Sequence, residues 1–187
     1  MIETERLIIR LPVNEDVANI VDYYTENRDF FQPFSPTFVD DIFDPKAWLE
    51  QVRIRGVEFT AGESFRAFVF ARAEPSRIVG NLNLTQVMRG VQQSCVVGYN
   101  LAENQQGKGY MTEAVRAAVD FAFRTWNLHS VRAGYMPRNT PSAAVLERCG
   151  FVIEGHAKAY LLINGRWEDH VLVAITNPDW VAPERAS

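Results

Sequence analysis

Gln106-Gly107-Lys108-Gly109-Tyr110-Met111 is the stretch that decides this fold. An apolar run of strand type, Cys95-Val96-Val97-Gly98-Tyr99-Asn100-Leu101, stands before it. After it, apolar residues recur at three- and four-residue steps from Met111 to Trp126, the pattern of an amphipathic helix. A strand that passes through a glycine turn into a helix leaves several backbone N–H groups unpaired, where the helix dipole adds partial positive charge. Such a terminus is an anion site made of backbone, suited to phosphate. By spacing alone the same residues also describe a plain tight turn. They are not a dinucleotide fingerprint, which has a third glycine after a first strand, nor a Walker loop, which closes on Gly-Lys-Ser/Thr.

Outward from the turn, the chain reads as a mixed α+β fold. Leu7 to Leu11 predicts a strand stopped by Pro12, and Asn14 is the expected cap of a helix to about Glu26. The stretch Phe30 to Phe38 holds two prolines and four phenylalanines, so it predicts an irregular loop. That loop either folds over the core or lines a substrate cleft, with Phe31 and Phe34 as candidate contacts. Asp44-Pro45 opens a helix that carries Trp48, Leu49, Val52 and Ile54 and fades near Ala61-Gly62. Phe65 to Ala71 and Ile78 to Leu84 are strands around a turn at Glu74-Pro75-Ser76, and the strand ending at Leu101 returns antiparallel. Beyond the long helix, Val131 to Tyr135 gives a parallel neighbour through a right-handed crossover. Thr140-Pro141 caps a short helix that Gly150 closes. Strands from Phe151 and over Ala159 to Ile163 follow, and Asn164-Gly165 turns a hairpin back into Trp167 to Thr176. Pro178 to Ser187 is expected to be a loose tail. One central sheet with helices on both faces would bury these elements.

At 187 residues one domain over 1–187 is the expectation. A net charge of −4, with basic residues mixed among acidic ones, argues against nucleic-acid binding. Cys95 and Cys149 form no metal or redox spacing and read as free thiols, and no metal is expected. The polar, acidic start is not a signal peptide, and no apolar run approaches a membrane span, so the cytoplasm is the expected compartment. His129, His156 and His170 lack the partners of a hydrolase triad.

The ordered motifs resemble the GNAT acyltransferases, which use acetyl-coenzyme A. The likeness rests on Gln106-Gly107-Lys108-Gly109-Tyr110 between strand and helix, on Asn139-Thr140-Pro141-Ser142, on Leu146-Glu147-Arg148-Cys149-Gly150-Phe151, and on Glu154-Gly155. Glu5-Arg6-Leu7, Tyr135-Met136-Pro137-Arg138-Asn139, Tyr160 to Gly165 and Asp169-His170 are similar to the RimJ-type ribosomal-protein-alanine N-acetyltransferases. Where the family pattern ends in Gly or Ala, this chain has Met111, whose place in the apolar stripe permits its side chain to turn into the core.

The resemblance implies a GNAT fold: a mostly antiparallel, twisted sheet with one splayed parallel pair. It implies that acetyl-CoA lies in the gap, with pantetheine along the strand end near Leu101 and pyrophosphate on the N–H groups from Gly107 to Met111. Gln106 and Lys108 either assist there or are solvated. Asn139 is expected at pantetheine or at the helix start. Ser142 matches the family serine placed at the sulfur, although a serine in a first helical turn also serves as a cap. Tyr135 and Tyr160 are alternative donors, with core packing as the other reading of each, and Tyr160 is also a candidate acceptor contact. An α-amine has a pKa of about 7.7–8.0, so its neutral form is accessible and no strong base is required. Glu103, two residues past the strand end, is the candidate carboxylate, with a solvated loop acid as the alternative. The resemblance implies the N-terminal alanine of a ribosomal protein, of the small subunit first, as acceptor, and contact with pre-ribosomes. Two other readings stand: a small-molecule amine as acceptor, or a CoA-bound ribosome-assembly factor. Oligomeric state is not legible.

Overall fold

A computed structural model describes residues 1–38 and 40–182, with the side chain of residue 40 outside the description. An eight-stranded sheet runs through it in the order β1-β2-β3-β4-β5-β6-β8-β7. The strands are β1 (Ile2–Glu3), β2 (Leu7–Arg10), β3 (Phe65–Ala71), β4 (Glu74–Met88), β5 (Ser94–Leu101), β6 (Ser130–Tyr135), β7 (Val152–Ile163) and β8 (Arg166–Thr176). The helices are α1 (Val17–Glu26), α2 (Arg28–Phe31), α3 (Pro45–Thr60), α4 (Tyr110–Arg124) and α5 (Thr140–Arg148). Every neighbouring pair is antiparallel except β5 and β6, which are parallel as the crossover through α4 requires.

Strand alternation sends side chains to two cores. Leu7, Ile9, Phe65, Ala67, Val69, Leu82, Leu84 and Val97 meet the buried stripe of α4, which includes Ala114, Val115, Ala118 and Ala122, and Leu146 of α5. On the opposite face Phe68, Phe70 and Ile78 meet Val17, Ile20, Tyr23 and Tyr24 of α1, with Phe31 and Trp48. Both faces of β3 are therefore covered, and its near-continuous apolar sequence follows from that.

Several local expectations change. Asn14 does not cap α1; residues 14–16 form a 3-10 turn, and the Asp16 carboxylate accepts from the Val13 N–H at 2.8 Å. The prolines of the phenylalanine-rich stretch do not abolish helix: α2 ends at Phe31, and Gln32–Phe34 is a 3-10 turn with Pro33 in its first positions, where no N–H is needed. Leu49 is exposed, and Arg55 instead takes a buried place over the rings of Trp48 and Phe68, 4.8 and 5.3 Å from their centroids. Burial lowers the Arg55 pKa to about 10. Glu74-Pro75-Ser76 is strand rather than turn; β3 pairs Ala71 with Glu74, and the register shift there absorbs Pro75, which has no N–H to donate. The two runs after Phe151 are one strand, β7, interrupted by a register shift beside Ala159, whose φ is +46°. The cap of α5 is Asn139 rather than Thr140: its Oδ1 accepts from the Ser142 N–H at 3.2 Å. In the stretch expected as a tail, Trp180 donates its indole N–H to Asn127 O at 2.9 Å and packs edge-on against His129. Residues 183–187 of that stretch lie outside the described residues.

Asn164 and Gly165 both take positive φ, +44° and +77°, and join β7 to β8 with Ile163 opposite Arg166. This is the tight hairpin that an Asn-Gly pair favours.

Candidate active site

The parallel pair holds together over a short register only, Ser94 to Val96 against Ser130 to Arg132. Beyond it β5 continues to Leu101 beside β4, and β6 continues to Tyr135 beside β8. The two strands part, and among the described residues the β5 edge from Val97 onward has no partner strand on the β6 side. An open edge of this kind offers backbone donors and acceptors to an extended ligand.

At the end of that edge stands the glycine turn. Gly107 and Gly109 take φ of +75° and +77°, a region that other residues enter at a cost. Gly109 caps α4 without any side-chain acceptor. Among the described residues, no backbone N–H from Gly107 to Thr112 meets a protein acceptor. The array fits a pyrophosphate, which brings the acceptor oxygens that the protein withholds. Met111 is 4% exposed, and its Cε lies near Gly80, so the side chain does turn into the core.

Side chains that the sequence left ambiguous are now placed. Gln106 Nε2 donates to Leu101 O at 3.1 Å, bracing the turn against the strand end. Lys108 Nζ donates to Gln105 Oε1 at 2.8 Å on the exposed rim. Glu103 lies in the 3-10 turn Glu103–Gln105; its N–H donates to Asn27 Oδ1 at 2.9 Å, and its side chain is exposed. Asn27 and Tyr23 thus tie α1 to the end of β5, because the Tyr23 hydroxyl also donates to Asn100 Oδ1 at 2.6 Å. Burial raises the Tyr23 pKa well above its ordinary value, which keeps that donor protonated.

Ser142 sits in the first turn of α5, across the gap from β5. Its Oγ is 3.0 Å from the hydroxyl of Tyr99, a residue that sequence reading passed over as strand filler. Burial raises the Tyr99 hydroxyl well above its ordinary pKa, against a smaller lowering by Ser142, so Tyr99 is neutral. The signal for Tyr99 was its position near the C-terminal end of the strand before the glycine turn. Its partner, forty-three residues on, is a tertiary fact.

The expected acceptor contacts divide. Phe31 is 3% exposed and packs on Tyr23 and Tyr24, so it is a core ring. Phe34 is exposed at 39%, and Tyr160 at 46%, with its ring 5.6 Å from that of His170. Tyr135 is half-buried at the end of β6. Cys95 is buried, and burial pushes its thiol up to about 12. Among the described residues no cluster of His, Cys, Asp and Glu suited to a metal occurs, and no helix is long and apolar enough to cross a membrane.

A splayed parallel pair beside an unpaired glycine turn, with hydroxyls across the gap, is the arrangement implied by the resemblance to acyltransferases that work on a coenzyme A thioester. The family model for the acetyltransferase (GNAT) domain matches residues 6–152, and the chain belongs to that family. It is 42% identical over 180 residues to the [ribosomal protein uS5]-alanine N-acetyltransferase of Escherichia coli K12, covering 95% of this chain and 91% of that protein. The crystal structure of a ribosomal-protein-S5-alanine acetyltransferase from Vibrio fischeri superposes with a TM-score of 0.91 at 36% identity, over 96% of this chain and 98% of that one. Mycobacterium smegmatis RimJ in complex with CoA-disulfide superposes with a TM-score of 0.84 at 30% identity, over 91% and 81% of the two chains. The protein is thus an N-acetyltransferase with acetyl-CoA as its cosubstrate.

Proposed function

We propose that this chain acetylates the N-terminal α-amine of a ribosomal protein that begins with alanine, with a small-subunit protein as first candidate. The observation that carries the reading is the 42% identity to the E. coli uS5-alanine enzyme over nearly the full length of both chains. In this reading residues 1–187 act as one domain in the cytoplasm, where such N-termini and pre-ribosomes are found.

Acetyl-CoA supplies an acetyl group activated on sulfur. The N–H groups from Gly107 to Met111 hold pyrophosphate, and the free edge of β5 up to Leu101 aligns pantetheine. A backbone N–H near Asn100 and Leu101 stabilises negative charge on the acetyl oxygen, which is worth most where water is excluded. Ser142 protonates or hydrogen-bonds the sulfur, aided by the positive end of α5. Asn139 already caps that helix, so the Ser142 hydroxyl is not needed as a cap. The α-amine titrates near neutrality, so a water chain to the exposed Glu103 suffices to take up its proton. Phe34 and Tyr160 face the acceptor.

Mass spectrometry of ribosomal proteins from cells lacking this chain tests the reading. One small-subunit protein with an N-terminal alanine is expected to lose its acetyl group; an unaltered set of N-termini overturns the assignment.

A further inference from the structure

Tyr99 and Ser142 meet across the mouth of the splayed strands, through two hydroxyls of which either can donate to the other. The Tyr99 oxygen lies 3.0 Å from Ser142 Oγ and 3.3 Å from Ser142 O. We propose that Tyr99 is a positioning residue for the acetyl transfer: its hydroxyl donates to Ser142 Oγ and so directs the Ser142 proton into the gap, toward the sulfur of acetyl-CoA. The inference rests on the reading of Ser142 as the group at the sulfur.

A serine hydroxyl has one proton and two acceptor lone pairs. Among the described residues Tyr99 is the protein partner of Ser142 Oγ. The Ser142 N–H is already satisfied by Asn139 Oδ1. When Tyr99 donates, a lone pair of Oγ is filled and the serine proton is left without a protein acceptor. The open side of the gap is where an acceptor can come from. The reverse polarity would turn the serine proton onto Tyr99 and leave the tyrosine proton only the longer contact to Ser142 O. Burial keeps Tyr99 protonated, so the donor is present throughout the working pH range. In the transfer the amine nitrogen bonds to the acetyl carbon as the carbon–sulfur bond breaks. The amine proton passes to water by way of Glu103, the sulfur leaves as a thiolate held by the Ser142 hydrogen bond and takes its proton from water, and both hydroxyls stay neutral.

Tyr99→Phe removes the hydroxyl and keeps the ring. With an alanine-terminated peptide, kcat is expected to fall about tenfold, with KM for acetyl-CoA within about twofold. Ser142→Ala should fall at least as far, and the double variant no further than Ser142→Ala, because the two act as a unit. A second readout needs no turnover: calorimetric affinity for CoA against desulfo-CoA, which lacks the thiol. Wild type should prefer CoA by about tenfold, with the preference lost in Ser142→Ala and most of it lost in Tyr99→Phe. A Tyr99→Phe protein with wild-type kcat and wild-type preference overturns the proposal, as do losses that add in the double variant. If wild type prefers CoA yet turns over no alanine peptide, the acceptor reading fails, and the thiol preference alone then decides the role of Tyr99.

Discussion

Asp16 shows how one buried carboxylate supports the site from a distance. It accepts from Arg10 at 2.6 and 2.8 Å and from the Val13 N–H at 2.8 Å, directly before α1. Burial pushes the Asp16 carboxyl up, but the hydrogen bonds from Arg10 and Val13 and the Arg10 charge outweigh it, and the pKa falls below the ordinary 3.8. A depressed folded-state pKa adds stability that is complete above the unfolded value and is lost as pH falls through the folded one. Asp16→Asn should therefore destabilise the protein by about 2 kcal/mol at pH 7. The gap to wild type should narrow in urea titrations as pH falls below the ordinary carboxylate value of 3.8 and through the lower folded-state value. A gap that stays constant with pH would remove Asp16 as an acid-sensitive support. The sequence pointed to Asn14 as the cap because side-chain preference is local. What selects Asp16 is the guanidinium of Arg10, brought there by β2.

The glycine turn was legible because strand, turn and helix are contiguous and each carries its own period. The clamp that holds it was not. Arg6 Nη1 donates to Lys108 O at 2.9 Å, and Arg6 Nε donates to Glu113 Oε2 at 2.7 Å, across more than a hundred residues. Thr4 Oγ1 adds a bond to Glu113 Oε1 at 2.6 Å. The carbonyl of Lys108 and the N–H of Gly109 belong to one planar peptide and point oppositely. Fixing the first aims the second away from Arg6. Arg6 is about half exposed, with its side chain at 45%, so the ion pair itself adds little stability. Arg6→Ala should leave Tm within a few degrees and kcat within about twofold, while KM for acetyl-CoA rises about tenfold. A matched loss in kcat with no change in KM would mean that the clamp does not shape the cofactor turn. Gly80 belongs to the same support: a Cβ there would meet the backbone oxygen of Asn100 at 2.7 Å. Sequence offered Gly80 only as a residue inside a strand, since the close approach exists only once β4 and β5 pair.

Across the whole molecule the chain ties its first third to its last. The turn at Gln32–Phe34 meets the hairpin between β7 and β8: the Asn164 N–H donates to Ser35 O at 3.0 Å, and Gln32 Nε2 to Asn164 Oδ1 at 3.3 Å. Arg138, just before the cap of α5, donates to Glu168 Oε2 at 2.6 Å and to Pro33 O at 3.1 Å. The fold class and the conformation of the glycine turn were readable because sheet order and turn follow from local periods. The proposed acceptor side was not, since the segments assigned to it lie over a hundred residues apart and their contacts are largely polar and exposed. Arg138 joins those segments directly beside Asn139, the cap of α5. Arg138→Ala should loosen residues 32–35 from the hairpin, raising their amide hydrogen exchange and the KM for an alanine-terminated peptide about fivefold. Affinity for CoA should stay within about twofold, because Asn139 still caps α5 through its own side chain. A variant that loses CoA affinity while its peptide KM is unchanged would place Arg138 on the cofactor side and leave the acceptor wall to Phe34 and Tyr160.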